Sequence, residues 1–224
     1  MDTSFITINA HSSIRIDAGE GAVVYVDPFK LTEEPRDADL VLVTHSHYDH
    51  FSPEDIARVE KDSTVFVAPA SMADELKGAL LVSPGEACEP IPGLRVEAVP
   101  AYNLNKQFHP KANQWVGYVV TTLGGTRVYV AGDTDDLDEN RSIACDIALV
   151  PVGGTYTMDA PEAAAFVNAM RPAVAIPEHY GSVTGTPKDG ETFKGLIDPG
   201  IEVVIKLLVH ASLHGLTKGD AWSR

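Results

Sequence analysis

Residues 40–44, Leu-Val-Leu-Val-Thr, form an unbroken aliphatic and β-branched run. A run of that kind fits a buried strand, and the sheet that holds it needs covering layers. His45, His47, Asp49 and His50 follow at once, and then Ser52-Pro53-Glu54-Asp55. That tetrapeptide reads as a helix start: Ser as the cap, Pro in the first helical position and acids in the first turn. A buried strand, a turn crowded with ligand-type side chains and a helix therefore succeed one another within twenty residues. Open α/β folds build their sites at such strand ends.

The same grammar recurs along the chain. "FITINA", "SIRID", "AVVYVD", "TVFVA", "LRVEAVP", "WVGYVVTT", "TRVYVA", "DIALVP" and "AVAIP" all have strand character. Gly124-Gly125 between two of these runs predicts a hairpin. Helices are expected after Ser52, over "SMADELKG", after Asp159, whose spacing to Glu162 suits a capping box, and over "DGETFKGLID". Strands and helices interleave without repeats, low-complexity stretches or an evident linker. The reading is α/β, with sheets covered by helices, in a single domain over residues 1–224.

Bulk properties narrow the function. With 17 basic and 32 acidic residues the net charge is −15, which opposes binding to nucleic acid. The partner to expect is a small molecule, and a homo-oligomer stays open. Cys88 and Cys145 sit in no Cys-x-x-Cys pair, so they read as free thiols in a reducing compartment. The N-terminus lacks the basic and apolar regions of a signal peptide, and no apolar run reaches the ~20 residues of a membrane span. A soluble cytoplasmic protein is expected, with no membrane partner.

Imidazole nitrogens and carboxylate oxygens are the ligands that borderline first-row metals prefer. In an extended segment His45 and His47 point to one face and Ser46 and Tyr48 to the other. Asp49 and His50 come where the chain turns toward the helix. One metal takes about four ligands, and this stretch alone supplies up to four. A Ser-His-Asp arrangement is disfavoured, because no Gly-x-Ser-x-Gly motif occurs.

"THSHYDH" resembles the His-x-His-x-Asp-His signature of metallo-β-lactamase-fold hydrolases, and the likeness extends over most of the chain. "VDPF" at 26–29, "AGDTD" at 131–135, "PVGGTYTM" at 151–158 and "PEHYG" at 177–181 resemble further motifs of the branch related to sugar-phosphate lactonases. The resemblance implies a four-layer αββα sandwich holding one or two metals, usually zinc, with Mn2+ or Fe2+ as alternatives. It implies a first metal site from His45, His47 and Asp133, and a second from Asp49, His50 and His179, with Asp133 shared. Asp27 would orient a histidine without touching metal. His11 matches a strand end that lines the family's pocket.

One departure stands out. The family's third histidine of the first site falls at Asn103, and an amide is a poor zinc ligand. The first site is thus expected to lack an imidazole. His109, six residues on, either swings in as a replacement ligand, contacts substrate, or is a solvated loop residue. The expected chemistry is metal-activated hydrolysis of a lactone, ester or phosphoester, with Asp49 orienting water and taking its proton. Tyr156 or Tyr180 is a candidate donor to a developing oxyanion. The alternatives are a nucleic-acid phosphodiesterase of the same fold and a non-catalytic metal- or ligand-binding protein. His210 and His214, four apart, match nothing in the family and carry no assigned role.

Overall fold

The apolar runs become strands that pair into two sheets. In the structure, a computed structural model that describes residues 1–207, the first sheet contains β1 (Ile6–Ala10), β2 (Ser13–Asp17), β3 (Val23–Val26), β4 (Leu40–Leu42), β5 (Val65–Pro69) and β6 (Leu80–Val82). They lie side by side in chain order, antiparallel from β1 to β3 and parallel from β3 to β6. The second sheet contains β7 (Ala87–Ile91), β8 (Leu94–Pro100), β9 (Val116–Thr121), β10 (Arg127–Val130), β11 (Ile147–Pro151), β12 (Val174–Glu178) and β13 (Glu202–Val203). Their order is also that of the chain, antiparallel from β7 to β10 and parallel from β10 to β13. The Gly124-Gly125 turn joins β9 to β10, with Thr121 opposite Arg127.

Alternation decides which side chains meet. Ile14, Ile16, Val24, Val26, Leu40 and Leu42 of the first sheet share one apolar cluster with Val96, Tyr118, Val120, Val128 and Val130 of the second. The other face of the first sheet, through Val23, Tyr25, Val41 and Val43, packs on Ile56 and Val59 of helix α1 (Pro53–Val59). Helices α2 (Ala160–Met170) and α3 (Asp189–Leu196) cover the second sheet on β11 and β12. The layers therefore run αββα.

Local signals explain most of the helix ends. The Ser52 hydroxyl accepts from the Asp55 amide at the start of α1. Asp159 and Glu162 form the full reciprocal box at the start of α2. The segment "SMADELKG" does not become an α-helix: Ala70–Met72 form one 3-10 turn and only Met72 is buried there. With Met72 buried and Leu76 only partly so, eight residues bury too little to offset the nucleation penalty. The outer strands β6 and β7 went unread, because Leu80 and Leu81 are exposed and β7 alternates weakly.

This topology sends several strand ends to one edge. β3 and β4 are parallel neighbours, so Asp27 and His45 emerge together. β10, β11 and β12 are parallel neighbours too, so Asp133, Gly153 and His179 emerge together on the facing sheet. No helix among the described residues is long and apolar enough to cross a membrane.

Gly117 marks how tightly β9 crosses this edge. A Cβ there would lie within the van der Waals envelope of the Ala131 carbonyl oxygen and 2.7 Å from that of Val130, two and three residues before Asp133. Gly117→Ala should therefore lower the melting temperature by roughly 5–10 °C, since overpacking a rigid backbone costs about 2–3 kcal/mol. Thermal unfolding followed by circular dichroism checks this, and an unchanged midpoint would contradict the close approach.

Candidate metal centre

The first sheet supplies a rigid platform for the histidines. Asp27 is buried, directly after β3, with a left-handed φ of 46° that Asp tolerates better than most residues. Its Oδ1 accepts from the Thr44 amide at 2.8 Å and its Oδ2 accepts from the Thr44 hydroxyl at 2.6 Å. Oδ2 also lies 2.8 Å from His50 Nδ1. That contact fixes the His50 tautomer: with the proton on Nδ1, the lone pair of Nε2 faces Asp133.

Eight side chains converge as two neighbouring clusters. In one, His45, His47, His109 and Asp133 each bring a ligand-type atom within 4.8 Å of the others. His109 Nε2 is 3.1 Å from Asp133 Oδ2, and His45 Nε2 is 3.0 Å from His47 Nδ1. The other cluster joins His11, Asp49, His50 and His179. His50 Nε2 and His179 Nε2 lie 3.2 and 3.1 Å from the remaining oxygen of Asp133, Oδ1. His11 Nε2 lies 3.2 Å from Asp49 Oδ2, and its ring packs on that of His179 at 3.8 Å. Asp133 therefore touches both sets, one oxygen each.

Burial sharpens the electrostatics. His50 and Asp133 are nearly water-free. Burial alone would raise the Asp133 carboxyl, but His179, His50 and His109 outweigh it and hold it well below the usual carboxylate range. Burial would likewise depress His50, but Asp133 and Asp27 overcome it and raise it well above ordinary imidazole. His45 faces fewer anions, and burial pushes it well down. For Asp49, burial is outweighed by the His11 hydrogen bond and the charge of His50, leaving it at about 2.

The donor set fits a metal. Among the described residues, His50 Nε2, His109 Nε2, His179 Nε2 and Asp133 Oδ1 are buried yet make no properly aligned hydrogen bond, although each nitrogen lies within 3.2 Å of an Asp133 oxygen. Buried polar atoms are nearly always satisfied, and lone pairs aimed at a common point are satisfied by a cation. Neutral imidazoles with carboxylates suit Zn2+, Mn2+ or Fe2+.

Comparison with known proteins agrees with this chemistry. The profile described as a Beta-lactamase superfamily domain matches residues 5–179. The chain belongs to the beta-lactamase superfamily. A UPF0173 metal-dependent hydrolase of Thermoplasma acidophilum is 36% identical over 192 residues, covering 77% of this chain and 82% of that protein. A second, from Aeropyrum pernix, is 31% identical over 86% of this chain and 89% of its own length. A crystal structure from Parabacteroides distasonis, provisionally described as a metal-dependent hydrolase, shares 33% identity, covers 91% of this chain and 93% of that one, and superposes with a TM-score of 0.79. This beta-lactamase superfamily chain is thus a metal-dependent hydrolase with the fold of its relatives.

Three expectations from the sequence need correction. The first cluster is not short of an imidazole, because His109 is buried inside it. Asn103 is not a weak stand-in ligand. Its Oδ1 lies 3.0 Å from His109 Nδ1 and accepts from the His109 amide at 3.0 Å, while its Nδ2 donates to Asp135 and to the Tyr156 carbonyl. Asn103 holds His109 as Asp27 holds His50. Tyr180 is no oxyanion donor: it is buried against Gly190 of α3, and burial raises its hydroxyl to about 12.

Of the remaining predicted residues, Tyr156 stands half-buried at the rim, its ring 4.7 Å from Phe108. His210 and His214 lie outside the described residues. Sequence reasoning missed Trp115, whose ring sits 4.9 Å from those of both His45 and His47. It also missed the role of Gly153, where a Cβ would collide with the His179 carbonyl oxygen. The glycines of "PVGGTYTM" were the available signal.

Asn103→Ala should weaken the first metal about 10–100-fold, the usual effect of losing a partner that orients a ligand, and leave the second unchanged. Asn103→His should not improve binding, because the new ring would forfeit the buried contacts to His109, Asp135 and Tyr156. Zinc titrations of the metal-free variants check both, and tighter binding by Asn103→His would restore the vacant-ligand reading.

Proposed function

We propose that the chain holds two zinc ions, one in each cluster, and uses them to hydrolyse a lactone, ester or phosphoester of a small molecule in the cytoplasm. The observation that carries the proposal is the shared carboxylate: Asp133 presents one oxygen to His45 and His109, and the other to His50 and His179, with His47 and Asp49 beside them. When bound, the cations supply Lewis acidity and lower the pKa of water from 15.7 toward about 7.

The protein's own groups do the rest. Asp27 and Asn103 fix which nitrogen of His50 and of His109 carries the proton, and so aim the other inward. Asp49, held by His11 Nε2, is an ionised carboxylate able to orient water and accept its proton at Oδ2. The buried walls exclude bulk water and strengthen each of these interactions. A nucleic-acid substrate is opposed by the net charge of −15.

Elemental analysis of protein reconstituted with zinc should give two ions per chain. His109→Ala and His179→Ala should each retain about one and lose turnover on a panel of lactones, esters and phosphodiesters, by at least roughly 100-fold. One ion per chain in all three proteins, or full activity in the variants, would reject the two-site proposal.

Affinity should also depend on pH. Burial lowers the proton affinity of His50 and His179, but Asp133 more than compensates, so both bind protons more tightly than free imidazole in the metal-free protein. A cation must displace those protons. Zinc binding should thus weaken steadily from pH 8 to pH 6, with more protons released at pH 6. Calorimetry in buffers of different ionisation enthalpy measures that release, and none at either pH would contradict the displacement.

A further inference from the structure

The rim of the metal centre is apolar where the rest of the protein is acidic. Among the described residues, seven large hydrophobic side chains are exposed, and three of them border this site: Tyr48 at 67%, Leu104 at 57% and Phe108 at 43%. Their positions in the chain are telling. Tyr48 stands between His47 and Asp49, Leu104 follows Asn103, and Phe108 precedes His109. Each is carried by backbone already fixed by a residue of the centre.

These side chains form an arc. Phe29, beside His11, meets Tyr48 edge-on at 6.1 Å. Across the mouth Phe108 meets Tyr156 edge-on at 4.7 Å. The Phe108 side is carried on a pinned loop. The Asn103 amide donates to the His109 carbonyl at 2.8 Å, so residues 104–108 stand out as a short projection closed at its base. Its single charge, Lys106, is turned away: Nζ donates to Asp135 Oδ1 at 2.6 Å and lies 3.9 Å from Glu162. On the opposite side the Lys30 ammonium lies 5.1 Å from the Phe29 ring centre.

We infer that Tyr48, Leu104, Phe108 and Tyr156 form the specificity wall of this centre, and that its substrates carry an uncharged aromatic or branched-alkyl group next to the scissile bond. The inference rests on the hydrolytic reading above and narrows it, favouring an apolar ester or lactone over a phosphorylated substrate. Exposed apolar surface of this extent gains only by being covered, and a ligand whose reacting end sits at the clusters would cover it. Among the described residues, an anionic group reaching beyond the metals would instead meet aromatic faces, with Lys106 already paired to Asp135 and Lys30 set over the Phe29 ring.

The zinc-loaded full chain tests this in two ways. Calorimetry with acetohydroxamate, hexanohydroxamate and 4-phenylbutyrohydroxamate reads the wall without turnover. Hydrolysis of phenyl acetate, phenyl hexanoate, γ-butyrolactone, γ-nonalactone and phenyl phosphate reads it with turnover. The wild type should bind 4-phenylbutyrohydroxamate at least about tenfold more tightly than acetohydroxamate, as expected when several methylenes and a ring leave water. That ratio should fall toward one in Phe108→Ser and in Leu104→Ser, with two zinc ions still bound. Lys30→Met should leave the ratio in place.

Equal affinity across the series, an undiminished ratio in both loop variants, or a preference for phenyl phosphate lost in Lys30→Met would overturn the inference. The two readings fail separately. A binding ratio that follows the wall with no hydrolysis of any compound would reject the hydrolytic reading alone. Turnover of short and long substrates alike, with a flat binding series, would reject the wall alone.

Discussion

One carboxylate, Asp133, joins the two halves of the molecule. It leaves the second sheet after β10, and its oxygens meet different partners, His109 on one side and His50 and His179 on the other. Without it, four buried imidazoles, His45, His50, His109 and His179, would lose the carboxylate that their Nε2 atoms face. With it, the set becomes two adjoining nests of lone pairs. The demand on position is severe, because both oxygens must be aimed at once. The protein meets that demand with backbone rather than side-chain rotamers. Gly117 lets β9 approach the chain just before Asp133, and the parallel pairing of β10 with β11 and β12 brings His179 alongside.

The second recurring device is a polar residue behind three of the inward-facing rings. Asp27 stands behind His50, Asn103 behind His109, and the Thr44 hydroxyl 3.0 Å from His45 Nδ1. Three residues of the centre, Asp27, His11 and His179, have left-handed backbones. Such conformations cost of order 1 kcal/mol or more and persist only where the surroundings over-determine them. Here the surroundings do so: the His179 amide donates to the His11 carbonyl, and Gly153 leaves room for the His179 carbonyl oxygen.

Much of this was readable from residues alone. Apolar and β-branched runs gave most strands of both sheets, and capping residues gave the starts of α1 and α2. The failures have physical causes. β6 and β7 lie at sheet margins, where burial imposes little pattern. "SMADELKG" has helical composition but fully buries only Met72. The largest misreading was at Asn103, where position was taken for role. The resemblance marks the place where the family pattern has a ring. It does not show that a six-residue excursion returns His109 to the same cluster and leaves the amide free to support it. Tyr180 failed for the opposite reason: nearness in sequence to His179 says nothing about direction, and its ring turns outward to α3.

That excursion has a further consequence for how proteins of this kind diversify. Residues 104–108 begin and end on Asn103 and His109, which are tied to each other through backbone and side chains. Changes in the length or composition of the projection are absorbed above the knot, while the ring beneath keeps its aim. A chain built this way separates what it recognises from how it reacts, so recognition can drift under selection without passing through inactive intermediates.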